Sequence, residues 1–264
     1  MDIADIVDLD RYPLHAPGSD AYRALVARCR DDLARLGRFD LEGLVTPAAL
    51  QATLARSMPR FDTEAFTHER RHNIYFKRDI PGLAPDHPAL REVRTSNRTL
   101  CGDQMEDTPV FDLYHWAPLA AFLAAVMDKP ALHVMGDALA GMNVMAYRDG
   151  QALNWHFDRS EFTTTLLIQP PSQGGAFEYR RELRTDADPN YDGVARLLEG
   201  RDPEARVLEL EAGTLNVFRG KNTAHRVTPS TGEKPRVIAV FCYYEEPGVA
   251  FSDEERIGFY GRAS

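Results

Sequence analysis

The sequence predicts a mainly β chain: a jelly roll over residues 141–246, buttressed by helices and edge strands from residues 1–140. Two observations carry this. Between 141 and 245 run six to eight short strand-like segments separated by Gly, Pro and Asn turn signals, a pattern that fits a jelly roll or small antiparallel barrel. Before residue 140 the apolar residues instead recur near a 3.6-residue period. With 264 residues, 44% hydrophobic and 27% charged, the chain has apolar content for one sizeable core, so a single domain spanning 1–264 is expected.

The elements follow in order. Asp20 to Leu36 places Leu25, Val26, Cys29, Leu33 and Leu36 on one face, and Gly37 stops that helix. A second helix begins after Thr46, with Pro47 in its first turn and Leu50, Leu54 and Met58 on one face. Next, a charged strand at His68–Asn73 leads into Ile74-Tyr75-Phe76, and two more helices are expected at Trp116–Met127 and Pro130–Leu139. Gly141–Tyr147 is strand-like, Arg148-Asp149-Gly150 reads as a turn, and Leu153-Asn154-Trp155 re-extends, as a hairpin would. Phe162–Gln169 is rich in β-branched and apolar residues and ends at Pro170-Pro171, which cannot continue a central strand. Gly174-Gly175 precedes a strand at Ala176–Tyr179. Later strands are expected at Val207–Glu211, Thr214–Phe218, His225–Pro229 and Arg236–Tyr244, leaving 247–264 as a C-terminal tail.

The connection 180–206 is long for a compact barrel and holds a short helical run, Val194–Leu198, which is the signature of a lid over a reaction site. Its D-x-D-x-N-x-D letters at 186–192 resemble a calcium loop, but the required Gly and distal Glu are out of register.

A formal net charge of −9 argues against nonspecific nucleic-acid binding, which needs a basic surface. The acidic Met1-Asp2-Ile3-Ala4-Asp5 is unlike a signal peptide, and no apolar run reaches the length of a membrane span, so a cytoplasmic protein without membrane contact is expected. Cys29, Cys101 and Cys242 are odd in number and widely spaced, which does not suit a disulfide framework. A homodimer is compatible with all of this.

The chemistry concentrates in His156-Phe157-Asp158, His225 and Arg236. Two imidazoles and one carboxylate occupy one face of an octahedral iron ion and leave the other positions for a co-substrate and dioxygen. In an extended chain residues i and i+2 point the same way, so His156 and Asp158 can converge, with His225 expected from a facing strand. Any one of these residues alone is ordinary; their combination in a strand-rich frame is what points to a metal.

This pattern resembles the iron(II)- and 2-oxoglutarate-dependent oxygenases, whose core is a double-stranded β-helix, or cupin-like jelly roll. The resemblance implies Fe(II), 2-oxoglutarate and O2 as cofactor and co-substrates, and it gives Arg236 the role of holding the distal carboxylate of 2-oxoglutarate, with Thr165 or Tyr147 supplying a hydroxyl partner. A bidentate guanidinium fork suits that carboxylate better than a lysine would. The segments Glu69–Phe76, Ser96-Asn97-Arg98-Thr99 and Asn154–Asp158 are similar to a bacterial group acting on free amino acids, which includes the free-lysine halogenase and hydroxylating relatives. In the halogenases a small residue replaces the carboxylate so that chloride can bind the metal; Asp158 is present here, so the resemblance implies hydroxylation.

The expected substrate is therefore a free amino acid or related small polar metabolite. Desaturation, cyclisation or halogenation by the same oxidant is the alternative, as is a non-catalytic metal-binding module on the same fold. Arg70, Arg71, His72 and Arg98 are candidates to grip a substrate carboxylate, Asp103 or Glu106 to meet its amine, and Trp155 to contact it beside the motif. One Arg and one acid are the minimum set for a zwitterion, because a buried unpaired charge is costly.

Overall fold

The computed structural model describes residues 1–264. The helices are α1 (Ile3–Ile6), α2 (Asp20–Leu36), α3 (Pro47–Thr63), α4 (Pro109–His115), α5 (Ala117–Met127), α6 (Tyr191–Leu198) and α7 (Asp253–Tyr260). Capping chemistry sets their ends. The Ser19 side chain accepts from the Tyr22 N–H to start α2, and Gly37, at φ +73°, closes it in the left-handed region where a side chain would be strained. Thr46 caps α3 in the same way, with Pro47 in the first turn.

Seven antiparallel strands form the large sheet in the order β1 (Arg38–Leu41), β11 (Leu215–Phe218), β7 (Thr163–Gln169), β14 (Arg236–Phe241), β5 (Met142–Tyr147), β3 (Val93–Cys101) and β2 (Phe66–His72). A four-stranded sheet runs β10 (Arg206–Leu208), β9 (Phe177–Arg180), β12 (Ala224–Val227) and β6 (Leu153–His156). Two short ribbons pair β8 (Gln173–Gly174) with β13 (Ser230–Thr231) and β4 (His133–Val134) with β15 (Tyr243–Tyr244). From β5 onward the chain passes back and forth between the large and small sheets, with the consecutive β9 and β10 both in the small one, which is the winding of a double-stranded β-helix.

Period-two alternation gives the large sheet two faces. Val144, Ala146, Leu166, Ile168, Val217, Val237 and Ala239 belong to a dry core shared with Leu25, Cys29 and Leu33 of α2, Phe61 of α3, and Phe122 and Leu123 of α5. The N-terminal helices buttress the outside of the barrel, as the sequence suggested. The intervening strand residues Asn143, Met145 and Tyr147 line a cavity on the other face, and Arg236 lies opposite Tyr147. No single helix is long and apolar enough to cross a membrane.

Four expectations are corrected. Pro130–Leu139 is not helical: His133 and Val134 pair with β15, and the Asp137 side chain takes the N–H groups of Leu139 and Ala140, so the backbone is committed elsewhere. Residues 141–156 do not form a hairpin, since β5 and β6 lie in different sheets and the turn at Gly150 carries the chain across the barrel. The last expected strand breaks at Cys242, whose N–H donates to the Gly141 carbonyl, and its final residues join the separate β4–β15 ribbon. The 247–264 tail is also more than a tail, because α7 is built on a Ser252–Glu255 capping box and packs back on the barrel.

Candidate metal centre and active-site cavity

His156 is the last residue of β6, and His225 on β12 is its direct register partner. The two histidines therefore come from neighbouring strands of one sheet, not from facing ones, and their ring centroids are 4.1 Å apart. Asp158, just past the end of β6, completes the group: its Oδ1 is 3.4 Å from His156 Nε2 and its Oδ2 3.3 Å from His225 Nε2. One donor atom from each residue lies within 4.8 Å of the others, close enough to hold a single ion.

Both rings are oriented from behind. His156 Nδ1 is 2.8 Å from the Asn154 carbonyl and His225 Nδ1 is 3.0 Å from that of Thr223. A carbonyl only accepts, so each Nδ1 carries the proton and each Nε2 presents a lone pair to the centre. Asp158 is fixed more tightly still. The Thr163 hydroxyl donates to its Oδ2 at 2.5 Å, and its backbone N–H donates to the Gly220 carbonyl at 3.1 Å. A Cβ at Gly220 would sit 2.3 Å from that same Oδ2, so the carboxylate occupies the space a side chain would take. Burial opposes ionisation of Asp158, but the adjacent His225 and His156 outweigh it and hold its carboxyl well below the usual carboxylate range. Burial disfavours the charged form of both rings. It prevails at His156, whose pKa is lowered, while at His225 the neighbouring Asp158 carboxylate prevails and the pKa is raised.

Arg236 begins β14, opposite Tyr147 on β5. It is only 5% exposed, and its Nε and Nη2 have no hydrogen-bond partner. Burial pulls its pKa down to about 10, with Tyr147 acting in the opposite direction. A buried guanidinium with two free donors is costly unless an anion meets it, and its planar fork fits a carboxylate. Of the two hydroxyl candidates, Tyr147 stands beside it. Thr165 does not: the register sets it opposite Val240, roughly 13 Å along β14 from Arg236 at the usual rise per residue. The residues present thus fit both a metal ion and a co-substrate with a distal carboxylate.

Of these groups, Tyr147, His156 and Asp158 line a cavity of about 730 Å³. Of the substrate candidates, Arg70 reaches it. Arg71, the next residue of β2, points outward and donates to the Glu92 carbonyl. His72 stands one layer back, buried, hydrogen-bonded to Thr95 and stacked on Phe76. Arg98 alternates with the cavity-lining Asn97 and Thr99 and so faces the opposite side of β3. Asp103 is paired with Arg262 outside the cavity, and Glu106 is exposed. Trp155 faces away as well, packed with Val194 and Leu197 of α6 and under Arg226. Thr163, Gly220, Arg184 and the aromatic residues Phe251, Phe259 and Tyr260 were not foreseen. The S-x-x-E capping box at 252–255 was the one sequence signal that could have revealed the last three as part of a folded element.

The model of the family described as halogenase D matches residues 25–252. Among solved structures, the chain is similar to the epimerase SnoN of nogalamycin biosynthesis in complex with Fe3+, α-ketoglutarate and nogalamycin RO, at 14% identity and TM-score 0.56, covering 84% of each chain. It is similar to a Pseudomonas putida prolyl-4-hydroxylase at 16% identity and TM-score 0.51, covering 82% of this chain and 98% of that one. A third likeness is to HygX from Streptomyces hygroscopicus with nickel and 2-oxoglutarate bound, at 12% identity and TM-score 0.53, covering 82% and 85%. At these identities the likeness is one of fold, and the fold is that of the 2-oxoglutarate-dependent oxygenases. No curated protein sequence matches the chain.

Proposed function

The chain belongs to the halogenase D family, and from that premise we propose that it is an iron(II)- and 2-oxoglutarate-dependent dioxygenase that hydroxylates an unactivated C–H bond of a small polar metabolite. The observation that carries this reading is the conjunction of two oriented Nε2 atoms, one ionised carboxylate and one buried, partnerless guanidinium opposite the cavity-lining Tyr147.

In this reading His156, Asp158 and His225 hold iron(II), and Arg236, beside Tyr147, holds the distal carboxylate of 2-oxoglutarate. Bound iron with 2-oxoglutarate and dioxygen supplies an oxidant strong enough to take a hydrogen atom from an aliphatic carbon. Everything else is placement by the chain. The carbonyls of Asn154 and Thr223 fix the Nδ1–H of both imidazoles and aim their Nε2 atoms, while Thr163 and the Gly220 backbone lock the carboxylate. Residues 180–206 act as a lid: α6 buries Val194 and Leu197 against Ile74, Trp155 and Phe157, and the Tyr75 hydroxyl ties this segment down through the Pro189 carbonyl.

The family's description favours halogenation as the second reading. Asp158 opposes it, because a halide would need the position this carboxylate takes. The test is succinate release from anaerobically iron-loaded protein given 2-oxoglutarate and oxygen, with mass detection across a metabolite panel. Succinate coupled to a product one oxygen atom heavier supports hydroxylation. A chlorinated product, or iron binding with no succinate under any condition, contradicts it.

A further inference from the structure

The cavity is one-sided in charge. Arg70, Arg159, Arg184 and Lys221 line it, and its sole carboxylate is Asp158, which the metal site uses. Two of these cations are already balanced: Lys221 pairs with Asp186 at 2.8 Å and Arg159 with Glu255 at 3.1 Å. Arg70 and Arg184 pair with no carboxylate. The Arg70 head lies over Phe76 at 4.7 Å, its Nε is buried without a partner, and Arg159 stands close enough to repel it. The Arg184 head lies over Phe157 at 4.0 Å and donates only from Nε to the Lys221 carbonyl at 2.9 Å. Ring faces offset part of the desolvation of a guanidinium, but an anion offsets far more.

The complementary acid for an ammonium group is missing. Asp103 and Glu106 lie outside the cavity. The amide oxygens of Asn97 and Asn143 are already used, accepting from Thr99 and Tyr260. A cleft lined by one sign of charge also concentrates ligands of the other.

We propose that the primary substrate is an organic anion with two acidic groups, carboxylate or phosphate, and no ammonium group, one acid seated at Arg70 and the other at Arg184, with its carbon frame against Tyr75, Phe76 and Phe157. This rests on the assignment of 2-oxoglutarate to Arg236, since otherwise 2-oxoglutarate would itself be the dianion that these two arginines hold.

The experiment is calorimetric titration of the full chain loaded with nickel(II) and saturating 2-oxoglutarate. The probes are L-lysine, L-leucine, L-glutamate, N-acetyl-L-glutamate and N-acetyl-O-phospho-L-serine. The two acetylated dianions are expected to bind at least about tenfold more tightly than lysine or leucine, and their ratio tells carboxylate from phosphate. Arg70→Gln and Arg184→Gln should each weaken them by about tenfold or more, as loss of a charged hydrogen-bond partner does, with the melting temperature and 2-oxoglutarate affinity unchanged. Tightest binding of lysine or leucine, no binding of either dianion, or wild-type affinity in both variants overturns the proposal. Should 2-oxoglutarate affinity collapse in Arg70→Gln yet survive in Arg236→Leu, the co-substrate assignment itself fails.

Discussion

The two walls of the cavity are built from different kinds of structure. On one, His156 and Tyr147, backed by His225, Thr163 and Arg236, stand on paired strands, each held by a register that one-residue slippage would destroy. On the other, Arg70 comes from the edge strand β2, Tyr75 and Phe76 from the loop after it, Arg184 from the 180–206 connection, and Phe259 and Tyr260 from α7. The proposed metal centre sits where the backbone has least freedom. The groups proposed to meet a substrate sit where it has most, so the second wall can change without disturbing the first.

Variants can break or sharpen this contrast. Asp158→Ala should have the largest effect, weakening iron binding more than about a hundredfold, beyond what loss of a residue behind the ligands costs, and abolishing succinate release. Metal stoichiometry and succinate assay check both. Arg236→Leu should leave metal binding intact but raise the 2-oxoglutarate dissociation constant about a hundredfold, the scale expected when a buried ion pair loses one partner. Gly220→Ala probes the rigid wall from behind, since its new Cβ would meet the Asp158 carboxylate. About tenfold to a hundredfold weaker metal binding is expected, in a protein that still folds.

The other wall predicts a different signature. Asp137, with a fully buried side chain, ties α7 down by accepting from Arg256 Nε at 2.9 Å and from the Phe251 N–H at 3.0 Å. Asp137→Asn should lower stability by about 3 kcal/mol, as breaking a buried pair does, and weaken substrate binding, while 2-oxoglutarate binds as before. Burial opposes ionisation of Asp137, but Arg256 and the surrounding amides hold its carboxyl below the ordinary range. Its contribution is therefore present above the ordinary carboxylate pKa and lost as pH falls through the lowered value. Acid melting curves of wild type and Asp137→Asn should converge there. Arg71→Ala should do least, shifting stability by less than about 0.5 kcal/mol and leaving turnover unchanged, because it points outward.

The same contrast decides what could be read from the sequence. That His156, Asp158 and His225 come together was legible because H-x-D is a local pattern and His225 stands in a strand-like segment. Which strand pairs with which is not local, so His225 was expected from a facing strand and is found on an adjacent one. Arg98 fell on the wrong side through parity alone, since it alternates with Asn97 and Thr99 along β3. Pro130–Leu139 has apolar helix-like composition, but its backbone is claimed by Asp137 and by β15, tertiary partners that no window of sequence reveals. Thr163 looked like strand propensity, and only the fold sets its hydroxyl against Asp158.

The most direct test of the central claim is anaerobic titration of 2-oxoglutarate into iron(II)-loaded wild-type protein, Asp158→Ala and Arg236→Leu, followed by the metal-to-ligand charge-transfer absorption. The account predicts one iron per chain and saturable absorption in the wild type, little bound metal in Asp158→Ala, and full metal with a strongly right-shifted titration in Arg236→Leu. Wild-type behaviour in both variants would contradict it.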